Sequence, residues 1–289
     1  MIKKGIILAG GMGTRMSPLT KAVNKQLLPL YDKPLIFYPL SVLMLAGIKK
    51  ILIIVNKGQL NQFRKILPEN NNLGLSIEYK EQLKPAGLPQ AFTIGEKFIG
   101  KDNVSLILGD NFFYAQSLTK ILKKNINLKS GAKIFIHPVK NPHLYGVATL
   151  GKNKKVLKLV EKPKKTKSNL AVTGLYFFDN KVVEMTKKLK PSSRNELEII
   201  DLLNSYKKKN KLKAEFIGRG GSWLDTGSVS DFYDASNFIS AVENRQGLKI
   251  ACLEEIALNN NWINIKHVKN AINFYGKCEY SKYLKSLIN

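Results

Sequence analysis

Several residue types are scarce in this 289-residue sequence, and each scarcity removes a class of protein. Cys252 and Cys278 are the only cysteines, which is too few for a fold built on a disulfide framework. The longest apolar stretch, residues 35–48, is interrupted by polar residues and a proline. It is shorter than the ~20 apolar residues that cross a membrane. Only four apolar residues follow Lys3-Lys4 before a glycine pair, whereas a secretory signal has roughly 7–15. We therefore expect a soluble, cytoplasmic protein with reduced thiols and no membrane contact.

The sequence also lacks the residue patterns of common hydrolytic and metal centres. Its three histidines, His137, His143 and His267, are scattered and do not have the spacing of metal ligands. No Ser-His-Asp or Cys-His arrangement is evident. A reaction whose attacking group is already a phosphate anion needs no protein nucleophile, because positioning and charge neutralisation suffice.

Arginine is scarce even though the chain is strongly basic. The formal net charge is +26, yet only five of the 47 basic residues are arginine. Because arginine is the preferred reader of bases and bidentate binder of phosphate, a lysine excess is weak support for specific nucleic-acid recognition. The lysines concentrate in surface-like segments such as 152–167 and 207–213. We predict no nucleic-acid partner. The alternative, a basic nucleic-acid-associated protein, would show steep salt-dependent binding to arbitrary DNA.

The most informative segment is an apolar strand, Ile6–Ala9, that runs directly into Gly10-Gly11-Met12-Gly13-Thr14-Arg15. Glycines after a buried strand let backbone N–H groups approach the phosphates of a nucleotide. The spacing fits neither common template. It lacks the closing Gly-Lys-Ser/Thr of a P-loop, and Met16 stands where the dinucleotide fingerprint has its third glycine. The loop therefore indicates phosphate binding without identifying the family.

The order of apolar runs predicts an α/β protein with one core and a helical C-terminal appendage. Strands are expected at Lys4–Ala9, Lys50–Val55, Leu75–Glu81, Val104–Leu108, Ala132–Val139, Gly146–Leu150, Lys155–Glu161 and Val172–Asp179. Helices are expected at Leu35–Ala46, Gln59–Leu67, Gln90–Phe98, Asn180–Leu189, Glu196–Lys208 and Ser228–Val242, and again in the tail after Gly247. We expect a nucleotide-binding half over 1–130, a sugar-phosphate-binding half over 131–230 and a helical region over 231–289.

Two aspartates are candidate ligands for Mg²⁺. Asp110 ends the apolar strand Val104–Leu108, and ligands of open α/β sheets bind beyond the carboxyl ends of strands. Asp225 lies in the glycine-bracketed segment Gly220–Gly227. Each has a structural alternative: Asp110 in a solvated turn or as a helix N-cap, and Asp225 as a cap of the helix near Ser228.

The segment Glu161-Lys162-Pro163 is a candidate for sugar-phosphate binding. Adjacent strand residues point to opposite faces, so only one would normally face a site. At a strand end before proline the backbone leaves the sheet, and both side chains then reach a ligand. The alternative is that Lys162 is one more solvated lysine.

Taken together, the segments resemble the sugar-1-phosphate nucleotidyltransferases, in the order of that family and over nearly the whole chain. The matching segments are Gly10–Arg15, Lys25–Pro29, Tyr31–Pro34, Leu108–Asn111, Glu161–Pro163, Val172–Tyr176, Glu196–Ile199, Trp223–Gly227 and Glu243–Gly247. The resemblance implies a Rossmann-like nucleotidyltransferase fold whose central, mostly parallel mixed sheet is flanked by helices. It also implies Mg²⁺-dependent transfer of dTMP from dTTP to α-D-glucose 1-phosphate, giving dTDP-glucose and pyrophosphate for dTDP-rhamnose and deoxysugar synthesis. A homotetramer is typical of the group.

The resemblance assigns roles to individual positions of this sequence. Nucleotide contacts are implied for Leu8, Gly10, Gly11, Gly13, Thr14, Arg15, Lys25, Gln26, Gln82, Gly87 and Asp110. Among these, Gln82 and Gly87 are implied to read the thymine edge. Sugar-phosphate contacts are implied for Asn111, Tyr145, Gly146, Glu161, Lys162, Val172, Tyr176 and Trp223. The implied catalytic residues are Arg15, Lys25, Asp110, Lys162 and Asp225, with Asp110 and Asp225 as the metal ligands.

Some positions depart from the usual pattern of the family. Ala86 and Pro89 replace an acidic residue and Ala, Ile200 replaces Thr, and Ala115-Gln116 replaces Gly-His. The first three bear on base or sugar selectivity, and the last on a second, regulatory nucleotide site. Two alternatives stay open: the same chemistry with UTP or another hexose 1-phosphate, and a catalytically silent nucleotide-sugar sensor or scaffold.

Overall fold

A central β-sheet organises the chain, and the computed structural model describes residues 1–289. The strands are β1 (Lys4–Ala9), β2 (Pro29–Leu30), β3 (Lys33–Pro34), β4 (Lys50–Asn56), β5 (Ser76–Gln82), β6 (Val104–Leu108), β7 (Asn111–Tyr114), β8 (Ala132–Pro138), β9 (Gly146–Leu150), β10 (Val156–Glu161), β11 (Leu170–Phe178), β12 (Leu212–Phe216) and β13 (Ser222–Asp225). The helices are α1 (Phe37–Leu45), α2 (Leu60–Ile66), α3 (Gln90–Ile94), α4 (Glu96–Ile99), α5 (Leu118–Asn125), α6 (Val182–Lys187), α7 (Ile199–Lys208), α8 (Val229–Gln246), α9 (Leu253–Asn259), α10 (Ile265–Tyr275) and α11 (Glu279–Ser286).

Nine strands form the main sheet, which begins with the parallel set β5-β4-β1-β6. The apolar runs of β1 and β4 explain their central place, because a parallel strand covered on both faces must be apolar on both. Ile6 and Ile7 of β1 point to opposite faces and are both completely buried. Strand β11 then pairs antiparallel with β6 and makes the sheet mixed. The predicted α/β class and mixed central sheet flanked by helices are confirmed.

Strand β11 is shared between two sets of neighbours, and this opens a gap beside it. Its C-terminal half pairs with β6, whereas Ala171 near its start pairs with Val147 of β9. Between these two pairings, the backbone N–H of Gly174 donates to Asn111 Oδ1 at 3.0 Å. A side chain at position 174 would collide with Asn111, since a Cβ there would lie 2.4 Å from Asn111 Oδ1. The carboxyl end of β6 and the start of β9 therefore border one cavity.

The structure contains elements that the sequence did not reveal. Strands β7 and β13 form a separate two-stranded sheet, and β12 and α5 were also missed. The predicted helix over Gln90–Phe98 is wrong as one unit, because it divides at Gly95 into α3 and α4. Gly95 lies against the sheet, where a Cβ would come within 2.9 Å of Ile6 Cδ1. Helix α8 runs to Gln246, beyond the predicted end at Val242, and ends at Gly247 with φ of 70°.

The C-terminal helices pack against the sheet layer formed by the first half of the chain. Leu253, Val268 and Leu284 belong to the same 39-residue core cluster as Ile7 and Ile53. Helix α9 packs on α1. No helix of the structure has both the length and the apolar character needed to cross a membrane.

Candidate functional site

The glycine-rich loop after β1 is held by a side chain at the end of the neighbouring strand. Asn56, the last residue of β4, accepts a hydrogen bond from the Gly11 N–H and donates one to the Gly11 carbonyl, each at 2.9 Å. Gly11 and Gly13 have φ of 102° and 58°, a region that favours glycine. The loop therefore has a fixed path, with Thr14 and Arg15 exposed in the turn that follows.

Gly10 and Gln82 approach one another closely at the start of this loop. A Cβ at position 10 would lie 2.2 Å from Gln82 Oε1, so a larger residue there would have to displace the Gln82 side chain. Gln82 ends β5 and is 3% exposed. Leu8, two residues before Gly10, is nearly buried at the end of β1. The carboxyl ends of β1, β4 and β5 thus meet at one edge of the sheet, as expected for a ligand site of an α/β protein.

Lys25 and Asp110 form a buried ion pair beside the loop. Lys25 is 7% exposed, and its Nζ lies 2.7 Å from Asp110 Oδ2. Burial opposes ionisation of Asp110, but the Lys25 charge and hydrogen bond, with a further bond from Asn111 Nδ2, together lower the pKa of Asp110. Asp110 caps no helix. The N-cap interpretation of this residue is therefore wrong; Asp110 lies in the turn after β6, with its side chain 25% exposed and paired with Lys25.

Asp225 is brought to the same place by the pairing of β13 with β7. The register sets Asp225 opposite Asn111, and Asp225 lines the same cavity as Asp110. Burial and the negative charge of Asp110 raise the pKa of Asp225 to about 7, while Lys25 and Arg15 act in the opposite direction. The cap of α8 is Ser228, whose side chain accepts from the Asp231 N–H. The helix-cap interpretation of Asp225 is therefore wrong.

Only one of the two aspartates has a salt-bridge partner, because Asp110 pairs with Lys25 whereas Asp225 forms no salt bridge. No group of three or more His, Cys, Asp or Glu side chains is positioned to enclose a metal by itself. Mg²⁺ is usually bound by one or two carboxylates together with substrate phosphates and water. Two carboxylates, one of them without a salt bridge, beside a phosphate-binding loop fit that mode of binding, and fit an all-protein metal cage poorly.

Arg15 connects the loop with the cavity beside β11. Its guanidinium lies over Gly227, where a Cβ would be 2.7 Å from Nη2. Arg15 also borders the cavity, together with Asp110 and Asp225. The positive charge of Arg15 would therefore act both on a phosphate chain at the glycine loop and on a ligand in the cavity.

The cavity beside β11 has a volume of about 390 Å³. Its lining includes every residue for which sugar-phosphate contacts were predicted: Asn111, Tyr145, Gly146, Glu161, Lys162, Val172, Tyr176 and Trp223. Trp223 donates from Nε1 to Asn111 Oδ1 at 2.6 Å, which fixes the wall that the two share. Tyr145 meets the Trp223 ring edge to face, with ring centroids 5.0 Å apart. The structure therefore brings this set together.

Lys162 and Glu161 both face the cavity although they are adjacent in sequence. The reason is local: Lys162 has φ of 41°, so the chain turns away from strand geometry before Pro163. Its N–H still donates to the Tyr145 carbonyl at 3.1 Å, which anchors the turn to the start of β9. Such a strained conformation at a non-glycine residue costs of order 1–3 kcal/mol and is typical of functional sites.

Glu161 is held at the rim by residues that the sequence analysis overlooked. Burial raises the pKa of Glu161, with Lys162 and Arg194 opposing this and Glu198 adding to it. Arg194 lies 3.6 Å from Glu161 and makes paired hydrogen bonds with Glu198 at 3.1 and 2.7 Å. A Cβ at Gly146 would lie 3.2 Å from Glu161 Oε2 and 2.8 Å from Ile200 Cδ1. The departure at Ile200 therefore lies directly on the wall of the cavity.

Two further residues predicted to bind the nucleotide are Gln26 and Gly87. Gln26 is 3% exposed, and its Oε1 is enclosed without a hydrogen-bond partner, so this oxygen is not open to a ligand. Gly87 has φ of 100°, and a Cβ there would lie 2.1 Å from the Leu197 carbonyl oxygen. Gly87 therefore permits close approach of the segment after β5 to the segment before α7.

Sequence reasoning missed Asn56, Arg194 and Thr226. Thr226 donates from its hydroxyl to the Asp110 carbonyl at 2.8 Å and joins the two aspartate segments. Asn56 was detectable, because it ends an apolar strand in the same way as Asp110. Arg194 gave no signal, since it acts through contacts with residues on β10 and before α7.

The chain resembles known proteins over nearly its whole length. A family model described as nucleotidyl transferase matches residues 4–242. A glucose-1-phosphate thymidylyltransferase of Neisseria meningitidis is 50% identical over 285 residues, covering 99% of both chains. A Bacillus anthracis structure with sucrose bound is 39% identical with a TM-score of 0.75, covering 81% of this chain and 94% of that one. A UDP-glucose pyrophosphorylase complexed with UDP-glucose is 28% identical with a TM-score of 0.73, covering 85% of this chain and 100% of that one.

Proposed function

Because the chain belongs to the nucleotidyl transferase family and is an enzyme of that kind, we propose that it transfers dTMP from dTTP to α-D-glucose 1-phosphate. The products are dTDP-glucose and pyrophosphate. The observation that carries the proposal is the meeting of two sites. Arg15, which follows the glycine loop, and the Asp110–Asp225 pair line the same cavity as Glu161 and Lys162.

One group of residues in the cleft binds the nucleotide, and a second group binds the sugar phosphate. The backbone of Gly10–Gly13 and the side chain of Arg15 bind the triphosphate, and Gln26, as the family resemblance implies, contacts the deoxyribose. Glu161 accepts hydrogen bonds from sugar hydroxyls. The Lys162 ammonium holds the sugar phosphate in the same cavity.

The transfer needs positioning more than it needs a protein nucleophile. An oxygen of the sugar phosphate attacks the α-phosphorus in line, the bond to the β-phosphate oxygen breaks, and pyrophosphate leaves with the bond electrons. The attacking oxygen is already anionic, so no residue has to remove a proton. Lys162 orients the attacking phosphate, and Arg15 offsets charge on the transferring group.

Asp110 and Asp225 fit a site for Mg²⁺ shared with the nucleotide, because both carboxylates line the cavity and Asp225 has no salt-bridge partner. When bound, Mg²⁺ would polarise phosphoryl oxygens and offset the charge that develops during transfer. Lys25 meanwhile keeps Asp110 ionised and directed toward the cleft. We further propose a cytoplasmic homotetramer that supplies dTDP-glucose to dTDP-rhamnose synthesis.

The second candidate is the same chemistry with UTP. The resemblance to a UDP-glucose pyrophosphorylase supports it, and one base methyl group discriminates by only ~1–3 kcal/mol. A silent sensor is disfavoured, because Arg15, Lys25, Asp110, Lys162 and Asp225 are all present and lie at one cleft.

Pyrophosphate release tests the proposal. The purified protein with Mg²⁺ is given dTTP or UTP, each with glucose 1-phosphate, galactose 1-phosphate or N-acetylglucosamine 1-phosphate. We expect release with dTTP and glucose 1-phosphate well above every other pair. A stronger signal with another pair would move the substrate assignment, and no release from a folded sample would contradict the enzymatic proposal.

A further inference from the structure

A short chain of hydrogen bonds behind the glycine loop determines which way the Gln82 amide faces. It begins at the backbone N–H of Ala86, which donates to the side-chain oxygen of Gln90 at 2.9 Å. The same oxygen accepts from Gln82 Nε2 at 2.6 Å. Gln90 is the first residue of α3, so the helix fixes its backbone position.

The orientation of the Gln82 and Gln90 side-chain amides follows from which atoms can donate and which can accept a hydrogen bond. It does not depend on an arbitrary assignment of the oxygen and nitrogen of each amide. A backbone N–H is only a donor, so the Gln90 atom facing Ala86 must be the carbonyl oxygen. That oxygen can only accept, so the Gln82 atom facing it must be the amide nitrogen. The Gln82 carbonyl oxygen is thereby turned to the opposite side.

That opposite side is the phosphate-binding loop. Gln82 Oε1 lies against Gly10, where a Cβ would be only 2.2 Å away. The oxygen accepts no hydrogen bond from the protein, and it is not among the fully enclosed polar atoms that lack a partner. A bound group can therefore reach an acceptor whose direction is already fixed.

We propose that Gln90 is a positioning residue which, by fixing the Gln82 carbonyl oxygen toward the nucleotide cleft, selects a base that presents a ring N–H. Thymine and uracil carry such a donor at N3. Cytosine carries an acceptor at N3 and would face the Gln82 oxygen with a lone pair. Sites built on hydrogen bonds reject a mismatched partner because buried polar groups stay unpaired.

This inference rests on the proposed function for the identity of the nucleotide, and it adds a residue that the family motifs quoted above do not include. It also explains why Ala86 is compatible with base recognition. The relay uses the backbone N–H of that residue, so the side chain at position 86 takes no part.

Two substitutions of Gln90 test the relay. Gln90→Met keeps the length of the side chain but removes the acceptor, so the Gln82 amide is free to rotate. Gln90→Glu is the matched control, because a carboxylate accepts from both Ala86 N–H and Gln82 Nε2 and leaves the amide direction unchanged. The dissociation constants of dTTP and dCTP with Mg²⁺, and kcat/KM for each with glucose 1-phosphate, are measured for all three proteins.

We expect the wild type to prefer dTTP over dCTP in both affinity and kcat/KM. In Gln90→Met this preference should fall about tenfold, whereas Gln90→Glu should keep it. A uniform loss of affinity or rate cancels in this ratio, so a merely structural effect does not produce the result. Should Gln90→Met fail to fold in a thermal unfolding scan, loss of the ratio in Gln90→Glu would still overturn the inference.

The two proposals fail in different ways. If pyrophosphate is released with dTTP and glucose 1-phosphate but Gln90→Met keeps the wild-type ratio, the inference is wrong and the proposed function stands. If the dTTP-to-dCTP binding ratio responds as expected but no sugar phosphate supports release, the inference stands and the proposed function is wrong. A wild type that binds dCTP as tightly as dTTP would overturn the inference.

Discussion

Two clusters of charged side chains in this protein differ in their pairing. In the cleft, Asp110 forms a salt bridge with Lys25 whereas Asp225 forms none, and burial together with the negative charge of Asp110 raises the pKa of Asp225. Behind the cleft, Glu243 of α8 is paired with two lysines, Lys33 at 3.0 Å and Lys249 at 3.3 Å.

The second cluster is complete within the protein. Asp32 also contacts both lysines, so two carboxylates meet two ammonium groups. Glu243 accepts a further bond from the Ile250 N–H at 2.8 Å. The cluster of Asp32, Lys33, Glu243 and Lys249 thus joins the segments Tyr31–Pro34 and Glu243–Gly247. Both segments were identified in the sequence as family motifs, but no role was predicted for them. The comparison indicates that a cluster with an unpaired carboxylate can take up a cation, whereas a fully paired cluster ties segments together.

The largest expected effect is on catalysis, from Asp110→Asn. The substitution removes charge from the metal site but fits the same space, so kcat/KM should fall about 10²–10⁴-fold, or roughly 3–5 kcal/mol of transition-state stabilisation. The free energy of unfolding should change little, because removing Asp110 also removes its repulsion of Asp225. Steady-state kinetics and urea unfolding are measured together. Near wild-type turnover would remove Asp110 from the metal site.

The fully paired cluster should show the reverse behaviour. Glu243→Gln leaves Lys33 and Lys249 with less compensating charge, and breaking such a buried pair costs about 3–5 kcal/mol of unfolding free energy. The rate of the variant that remains folded should be close to that of the wild type. Glu96→Gln is the control, since its pair with Lys187 is about half exposed and contributes at most about 1 kcal/mol. Equal costs for the two variants would contradict the comparison.

A smaller effect is expected on the sugar side of the cleft. Lys162→Ala should raise KM for glucose 1-phosphate ~10–100-fold, the range for losing a charge-assisted hydrogen bond, with little change in the affinity for dTTP. Lys164→Ala is the control, because Lys164 is exposed and lies outside the cavity. A change confined to the nucleotide affinity would show that the role of Lys162 is misassigned.

The smallest effect concerns Glu254, a buried carboxyl that belongs to neither cluster and forms no salt bridge. Burial raises its pKa above the ordinary value of 4.5, although the Tyr280 and Tyr275 hydroxyls donate to it at 2.6 and 2.9 Å. The folded state therefore holds this proton more tightly than the unfolded chain. Its contribution to stability is fully present below pH 4.5 and is lost as pH rises through the folded pKa.

The Glu254→Gln variant tests this pH dependence. Glutamine keeps the hydrogen-bonding shape but does not titrate. The unfolding free energy of the variant should therefore rise relative to that of the wild type as the pH increases from 4.5 through the raised pKa of Glu254. Urea unfolding at several pH values gives the difference. A difference that is constant with pH would mean that the pKa of Glu254 is not raised.

The success of sequence reasoning depended on how local each feature is. The strands β1, β4 and β6 were placed almost to the residue, because continuous apolar runs ended by glycine or a polar residue leave few alternatives. Strands β7 and β13 were missed, because each is four residues long and pairs with no strand except the other. The break of the helix at Gly95 arises from the sheet beneath it, which no local pattern contains.

For the site, the sequence by itself determined the chemical groups: a glycine loop that needs backbone without Cβ, aspartates at strand ends, and a Glu-Lys-Pro turn. Only the tertiary structure decided that they act at one place. Asp110 and Asp225 are distant in sequence, and they become neighbours because β13 pairs with β7 in one particular register. Likewise, the direction of the Gln82 oxygen depends on Gln90 and the Ala86 N–H. Charge balance, burial and hydrogen-bond direction are properties of neighbours in space, so they exist only once the chain has folded.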